Sequence, residues 1–131
     1  MELAINPRHA GALEYMGDTY LFEHQARQAL PYLKGALAAD SSNPDLYRDL
    51  GTAYSELGDY RQAEAELQIA ARDDRDGSVH YKLARVYQAL GEKEQAAREF
   101  ALSTTLNREA HRKLEEQTER LSRIEITAKD E

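Results

Sequence analysis

The feature that most constrains this chain is a pattern of residues that occurs three times in phase. Gly17, Gly51 and Ala84 align at steps of 34 and 33 residues. A tyrosine, an alanine and a large apolar residue follow at the same offsets in each copy, namely Tyr20, Tyr54 and Tyr87, then Ala29, Ala63 and Ala96, then Leu33, Leu67 and Phe100. Self-similarity at this period predicts stacked helical hairpins, none of which buries its apolar face alone.

Apolar residues within the middle copy follow the helical period twice. Three- and four-residue steps relate the apolar positions of 46–57, and the same steps recur across 63–71, which predicts two amphipathic helices. Gly51 and Ala63 are small enough to let the two helix backbones approach closely. Tyr54 and Leu67 would then fill the space on either side of this crossing.

The turn between these two helices is also predicted by sequence. Gly58 suits the left-handed conformation that ends a helix, and Asp59 with Gln62 resembles a capping box for the next one. Gly91 aligns with Gly58, whereas the first copy has His24 at this position. Since a positive φ is costly for a residue with a Cβ, we expect a strained and looser first hairpin.

Helix starts are marked by asparagine and proline. Asn43, Pro44 and Asp45 supply a cap, a proline at the first helical position and an acid in the first turn, all favourable at a helix N-terminus. The segment Glu2 to Pro7 resembles the end of a second helix followed by the same kind of junction. We therefore interpret 1–9 as the remnant of a preceding repeat in a longer array. The alternative is a natural N-terminus that caps the first helix.

The middle copy identifies a family. Leu50-Gly51, Tyr54, Gly58-Asp59-Tyr60, Ala63 and Leu67 stand at offsets that resemble the tetratricopeptide repeat. Three units follow from the alignment: 10–43, 44–76 and 77–110. The resemblance implies an all-α fold, a right-handed α-α superhelix of three helical hairpins with a C-terminal capping helix. We assign that capping helix to 107–126, overlapping the third unit, and a frayed tail to 127–131.

Composition agrees with one helical domain and argues against several functions. The chain has 131 residues, 41% of them hydrophobic, and no cysteine, so thiol chemistry is excluded. It has no apolar run of membrane-spanning length and no signal sequence, so we expect no membrane partner. We slightly favour the cytoplasm, although a longer parent chain could carry its own signal.

The net charge of -7 argues against a nucleic-acid partner, because binding a polyanion requires a concentrated basic surface. It favours basic or neutral partners, or serves only solubility.

Catalytic and metal-binding patterns are weak. No histidine pair has a helical ligand spacing, so His9, His24, His80 and His111 are interpreted as surface or packing residues. The segment 73–77 superficially resembles a calcium loop, but Arg72 and Leu83 occupy positions that require acids. We interpret it as a shortened junction between units two and three. We therefore expect no enzyme activity, no cofactor and no metal.

What remains is recognition of a protein or peptide. The family resemblance implies that the first helix of each unit lines a concave groove and that residues outside the packing motif face it. Those residues are Glu14, Asp18, Leu21 and Phe22 in unit one, Asp45, Arg48, Thr52 and Ser55 in unit two, and Ser78, Tyr81, Arg85 and Gln88 in unit three. Acidic, basic and aromatic side chains together suit a peptide with both apolar and charged anchors.

One subtype of the family is disfavoured by charge. Members that bind chaperone tails grip a C-terminal carboxylate with basic and amide side chains. Only one residue at the matching places here is basic; the residues are Glu14, Asp18, Asp49, Ser78 and Lys82. Acids would repel a carboxylate, so we predict that this chain is not a clamp of that kind.

Two functional hypotheses follow. The first is a non-catalytic interaction scaffold that binds a peptide or protein segment in its groove. The second is a structural spacer of a longer array, whose only partners are neighbouring repeats or a second copy. Loss of a preceding helix would expose the side of unit one around Ala12, Tyr15 and Thr19, so we expect weak self-association through this end.

Overall fold

The computed structural model describes residues 9–129, which form six α-helices. They are α1 (Ala10–Phe22), α2 (Ala26–Ala39), α3 (Pro44–Glu56), α4 (Tyr60–Ala70), α5 (Ser78–Leu90) and α6 (Lys93–Lys129), with a short 3₁₀ turn at Ala71–Asp73. Consecutive helices pair as the hairpins α1/α2, α3/α4 and α5/α6, while α2 packs on α3 and α4 packs on α5. The predicted all-α superhelix of stacked hairpins is confirmed. Most of the predicted remnant at 1–9 lies outside the described residues.

The two helices of a hairpin touch where a glycine faces a leucine. A Cβ placed on Gly51 would lie 2.4 Å from Leu67 Cγ, and one on Gly17 would lie 2.5 Å from Leu33 Cδ2. Both leucines are fully buried. The large-into-small packing predicted from the repeat is therefore confirmed in the first two hairpins, since no larger residue than glycine fits without displacing the leucine.

The remaining repeat positions supply the rest of the core. The fourth residue of the second helix is a buried alanine in every copy, and the second and third tyrosines of the repeat are also buried; the residues are Ala29, Ala63, Ala96, Tyr54 and Tyr87. In the third hairpin Ala84 is fully buried, whereas Phe100 is only partly buried. The last hairpin is thus less completely covered, because no further unit packs on it within the described residues.

All three hairpin turns have the same backbone conformation. The φ angles of His24, Gly58 and Gly91 are 58°, 79° and 76°, which confirms the left-handed turn. The expectation of a looser first turn is wrong. Gln25 N donates to Tyr20 O at 2.8 Å, as the equivalent amides donate in the other two turns, so the bond that ends the first helix is kept despite histidine.

Of the two predicted helix caps, the one at Asn43 is present and the one at Asp59 is not. Asn43 Oδ1 accepts a hydrogen bond from Asp45 N at 3.0 Å, and Pro44 begins α3, as predicted. Asp59 precedes α4 but its side chain makes no capping hydrogen bond. Its backbone has φ -89° and ψ 71°, outside the extended conformation in which a capping side chain reaches the first amides of a helix.

The junction between units two and three is a closed turn. Asp74 Oδ1 accepts from Gly77 N at 3.1 Å, and Asp74 Oδ2 accepts from His80 N at 2.9 Å. Gly77 has φ 85°, and a Cβ there would lie 2.3 Å from Ser103 O of α6. Gly77 is thus required both by its positive φ and by the close approach of Ser103. The sequence pattern did not reveal the second reason, because Ser103 lies 26 residues further along the chain on another helix.

The C-terminal end differs most from the prediction. There is no separate capping helix at 107–126, because α6 continues unbroken for 37 residues to Lys129. Helix also replaces the expected frayed tail at 127–129, while 130 and 131 lie outside the described residues. No glycine or proline follows Gly91, so no helix-breaking residue interrupts α6 between 107 and 129. The side chains of Leu114, Leu121 and Ile124 are about 60% exposed rather than covering the last hairpin.

None of the helices between residues 9 and 129 combines the length and the apolar character that crossing a bilayer requires.

Leu67 is expected to dominate the stability of the second hairpin. Leu67→Ala should lower the free energy of unfolding by about 2 to 5 kcal/mol, because it removes buried apolar area and leaves a cavity against Gly51. Leu114→Ala is the matched control, since that leucine is exposed on α6, and should cost under about 0.5 kcal/mol. Urea denaturation of both variants measures the difference. Equal losses would contradict the packing described above.

His24 is expected to hold a strained turn. His24→Gly should raise the free energy of unfolding by up to about 1 kcal/mol, because glycine adopts positive φ without a Cβ clash. His24 Nδ1 lies 3.4 Å from Glu56 Oε1 with the imidazole 85% exposed, so little stability is lost with that contact. His24→Ala removes the same contact but keeps the Cβ, and should give no gain. If calorimetry shows that both variants are destabilised to the same extent, the imidazole of His24 stabilises the fold by its own contacts and the turn is not strained.

Candidate protein-interaction face

The twelve residues predicted to line a groove all lie on the first helices of the three units. They occupy α1, α3 and α5, and α3 contacts both α1 and α5. Every one of them is exposed or half-buried rather than part of the core. We call the surface formed by these residues the first-helix face. At the C-terminal end of α1, Leu21 packs partly against the core, whereas the neighbouring Phe22 is 88% exposed.

Three carboxylates meet where α1 contacts α3. One oxygen each of Glu14, Asp18 and Asp49 lies within 4.8 Å of the other two. Asn43 Nδ2 donates to both carboxylate oxygens of Glu14 at 3.2 Å. This asparagine therefore caps α3 and holds the side chain of Glu14 in the same place. We call the three acids the acidic cluster.

Asp49 is the buried member of the acidic cluster. The residue is 8% exposed, and its Oδ2 atom is buried with no hydrogen-bond partner in the described part of the chain. Burial raises the pKa of Asp49 to about 7, helped by the neighbouring carboxyl of Asp18 and opposed by Arg48. A carboxylate is costly here because desolvation and a like charge both disfavour the ionised form.

Arg48 only partly balances these acids. Its Nε and Nη2 atoms lie 3.4 Å from Asp49 Oδ1, and Nη1 lies 3.4 Å from Asp45 Oδ1. These distances exceed the usual range for a strong N–H···O bond. Thr52 Oγ1 donates to the Arg48 carbonyl oxygen at 3.0 Å, so the hydroxyl of Thr52 is already used within its own helix.

The third unit presents aromatic and basic side chains. Tyr81 is 50% exposed and meets Phe100 of α6 edge to face, with ring centroids 5.6 Å apart. Arg85 and Gln88 are exposed one and two turns further along α5. Ser78 N donates to Asp76 Oδ1 at 3.0 Å, which places Ser78 at the start of the helix. Tyr81 is thus held by packing while one side of its ring stays accessible.

Sequence reasoning grouped Asp49 with Glu14 and Asp18 only through the family resemblance, and it did not assign Asn43 to the interaction face. Glu14 and Asp18 are four residues apart on one helix, and this spacing already predicts that they share a face. Asp49 joins them only because α1 and α3 contact each other. The cap signal identified Asn43, but its bond to Glu14 depends on the same contact between units.

Two tetratricopeptide repeat models match the sequence, at residues 20–82 and 77–101. The chain belongs to the tetratricopeptide repeat family. No curated protein sequence matches it.

Solved structures of other proteins share this fold. A MamA mutant is 26% identical with a TM-score of 0.71, covering 75% of this chain and 72% of its own. MamA from AMB-1 is 26% identical with a TM-score of 0.72, over 78% of this chain and 61% of its own. The present chain therefore spans about three fifths of the length of that relative.

Two peptide-bound domains also superpose. The second repeat domain of Spaghetti (RPAP3), bound to the HSP90 peptide SRMEEVD, is 22% identical with a TM-score of 0.71, over 77% of this chain and 94% of its own. The first domain, bound to the same peptide, is 21% identical with a TM-score of 0.71, over 92% of this chain and 99% of its own. At this identity the likeness shows the fold alone.

Asp49 should make stability depend on pH. The pKa of Asp49 is about 7 in the folded chain and near the ordinary aspartate value of 3.8 in the unfolded chain, so the folded state binds more protons between these values. Stability is then lost as pH rises through this window. Asp49→Asn removes the buried charge, and at pH 8 should raise the free energy of unfolding by about 1 to 2 kcal/mol, reduced by solvent screening.

The advantage of Asp49→Asn should shrink towards pH 4, where the native carboxyl is already protonated among Glu14, Asp18 and Arg48. Asp45→Asn is the control, because Asp45 is exposed on the same helix, and its difference from wild type should change little over this range. Urea denaturation across pH 4 to 8 gives both curves. A difference for Asp49→Asn that does not vary with pH would contradict a raised pKa.

Proposed function

We propose that this chain is a non-catalytic interaction scaffold that binds a peptide or protein segment along the first-helix face. One observation supports the proposal most: all twelve candidate residues lie on contacting first helices, and none of them is fully buried. A surface built in this way offers anchors at helical spacing from three successive units. Such an array suits an extended or helical segment better than a small molecule.

The tetratricopeptide repeat neighbours support peptide binding but not the same peptide. The two Spaghetti (RPAP3) domains are bound to SRMEEVD, which is acidic. In the present chain the acidic cluster lies on the first-helix face, and Asp49 already lacks a full counter-charge. Additional negative charge there would be repelled. We therefore propose a partner that does not place a carboxylate at this position.

The second and third units supply different anchors. Arg48 and Arg85 can pair with acids of a partner, and Tyr81 offers an accessible aromatic ring held by Phe100. Aromatic residues and arginine are the residues that most often dominate binding energy at interfaces. The proposal therefore assigns acidic or aromatic residues of the partner to this end of the face.

Replacing Arg48, Tyr81 and Arg85 together with alanine should abolish capture of the partner, because both charged anchors and the aromatic contact are lost. None of the three is fully buried, but Arg48 contacts Asp49 and Tyr81 packs on Phe100, so the melting temperature should fall only modestly, and capture is measured well below it. Pull-down with the full chain as bait measures recovery. The matched control replaces Tyr15, Arg27 and Arg98, which are also exposed and change the charge equally. Unchanged recovery with the first variant would move the site to another surface.

The alternative function is a spacer whose partners are neighbouring repeats or a second copy. It is favoured by exposed apolar side chains at the N-terminal end, where Tyr15 is 72% exposed beside the exposed Ala12 and the half-buried Thr19. Sedimentation at increasing concentration separates the two functions. Self-association that disappears in the Tyr15 control variant, with no partner retained by the wild type, would support the spacer and contradict the scaffold.

A further inference from the structure

We propose that the acidic cluster is a pocket for one basic side chain, arginine or lysine, of the segment that binds the first-helix face. This inference rests on the proposed function and adds a chemical class to it. It assigns a positively charged anchor to the junction of units one and two, whereas the acidic and aromatic anchors belong to units two and three.

The geometry supplies acceptors that converge on one point. Glu14, Asp18 and Asp49 come from two helices, yet one oxygen of each lies within 4.8 Å of the others. A guanidinium or ammonium group presents several N–H donors from one centre and can bond to carboxylates on different sides. Glu14 is already fixed by Asn43, so part of the site is held in place before a ligand binds.

Asp49 provides an observation independent of the surface charge. It is 8% exposed, and its buried Oδ2 has no hydrogen-bond partner in the part of the chain that the structure describes. A buried acceptor without a partner is costly, and most such atoms in proteins are satisfied. A donor bound between Asp18 and Asp49 would add a partner for this carboxyl group, which otherwise has only the contacts of Arg48 with Oδ1.

The local charges favour a cation. Arg48 is the positive group that acts on Asp49, and it reaches only Oδ1, at 3.4 Å. It is also shared with Asp45. Three carboxylates therefore face one partly shared guanidinium. Protonation of Asp49 relieves the repulsion when the pocket is empty, as its raised pKa indicates, and a bound cation would relieve it in the ionised state.

An organic cation suits this pocket better than a metal ion. Calcium takes six to eight oxygen ligands in proteins, and magnesium demands an octahedral set. Asn43 presents its NH₂ group to Glu14, while its Oδ1 atom caps α3. The amide therefore directs donors towards the acids and offers no oxygen to a metal. The three carboxylates do not provide a complete oxygen shell for a metal ion. Their position on an open face instead suits the N–H donors of an arginine or lysine side chain.

The test uses the full chain and two small probes. N-acetyl-arginine N-methylamide carries the guanidinium, and the matching citrulline compound is its neutral isostere. Nitrogen-15 NMR titration should show saturable shifts with the arginine compound, centred on the amides near residues 18 and 49, and none with citrulline. Asp18→Asn should weaken this binding about tenfold. Asp18 is exposed, so the variant should fold normally.

The control is Glu115→Gln, which makes the same change in net charge on an exposed part of α6 and should leave the affinity unchanged. Equal weakening by both variants would show nonspecific attraction and overturn the pocket. Absence of localised shifts with the arginine compound would also overturn it. Localised shifts with calcium chloride alone would establish a metal site instead.

A negative NMR titration would overturn the pocket but not the scaffold, which is tested by the Arg48, Tyr81 and Arg85 variant. A negative pull-down would overturn the scaffold face but not the pocket, which is tested by the shifts that the arginine compound causes. The two proposals are therefore distinguished by different residues, probes and measurements.

Discussion

The contact between a glycine on the first helix and a leucine on the second determines the shape of this protein. Gly17 with Leu33 and Gly51 with Leu67 bring two backbones close enough that a Cβ would overlap the leucine. The first two hairpins are therefore tightly closed, and α2 packs on α3 while α1 also contacts α3. The same contacts leave the opposite sides of the first helices outside the core, which is where a binding surface can form.

The acidic cluster is a consequence of this stacking. Glu14 and Asp18 would be ordinary solvated acids on an isolated α1, and Asp49 would be one on an isolated α3. Contact between the helices buries Asp49 beside Asp18 and raises its pKa to about 7. Stability is thereby reduced at neutral pH. Unfavourable electrostatics at a surface is typical of functional sites, because a ligand of the opposite charge can relieve them.

Local features were predicted best where neighbouring residues alone decide them. The positive φ of Gly58 and the cap at Asn43 follow from a turn and a helix start that the nearby sequence specifies. The predicted cap at Asp59 was wrong, because its backbone is not in the extended conformation from which a capping side chain reaches the first helix amides. The predicted extent of the C-terminal helix was wrong. The prediction assumed a separate covering helix, as solenoids usually have, but no helix-breaking residue follows Gly91 and α6 continues to Lys129.

The sequence by itself determined the repeat, the helix pairs and the small residues at which they cross, because periodicity records which side of a helix must be buried. It also indicated which residues are left on the first helices. Only the tertiary structure decided that Asp49 joins Glu14 and Asp18, that Asn43 holds Glu14, and that Gly77 lies against Ser103. Each of these contacts joins different helices, and their distances depend on how neighbouring helices and units pack, which a helical period does not encode.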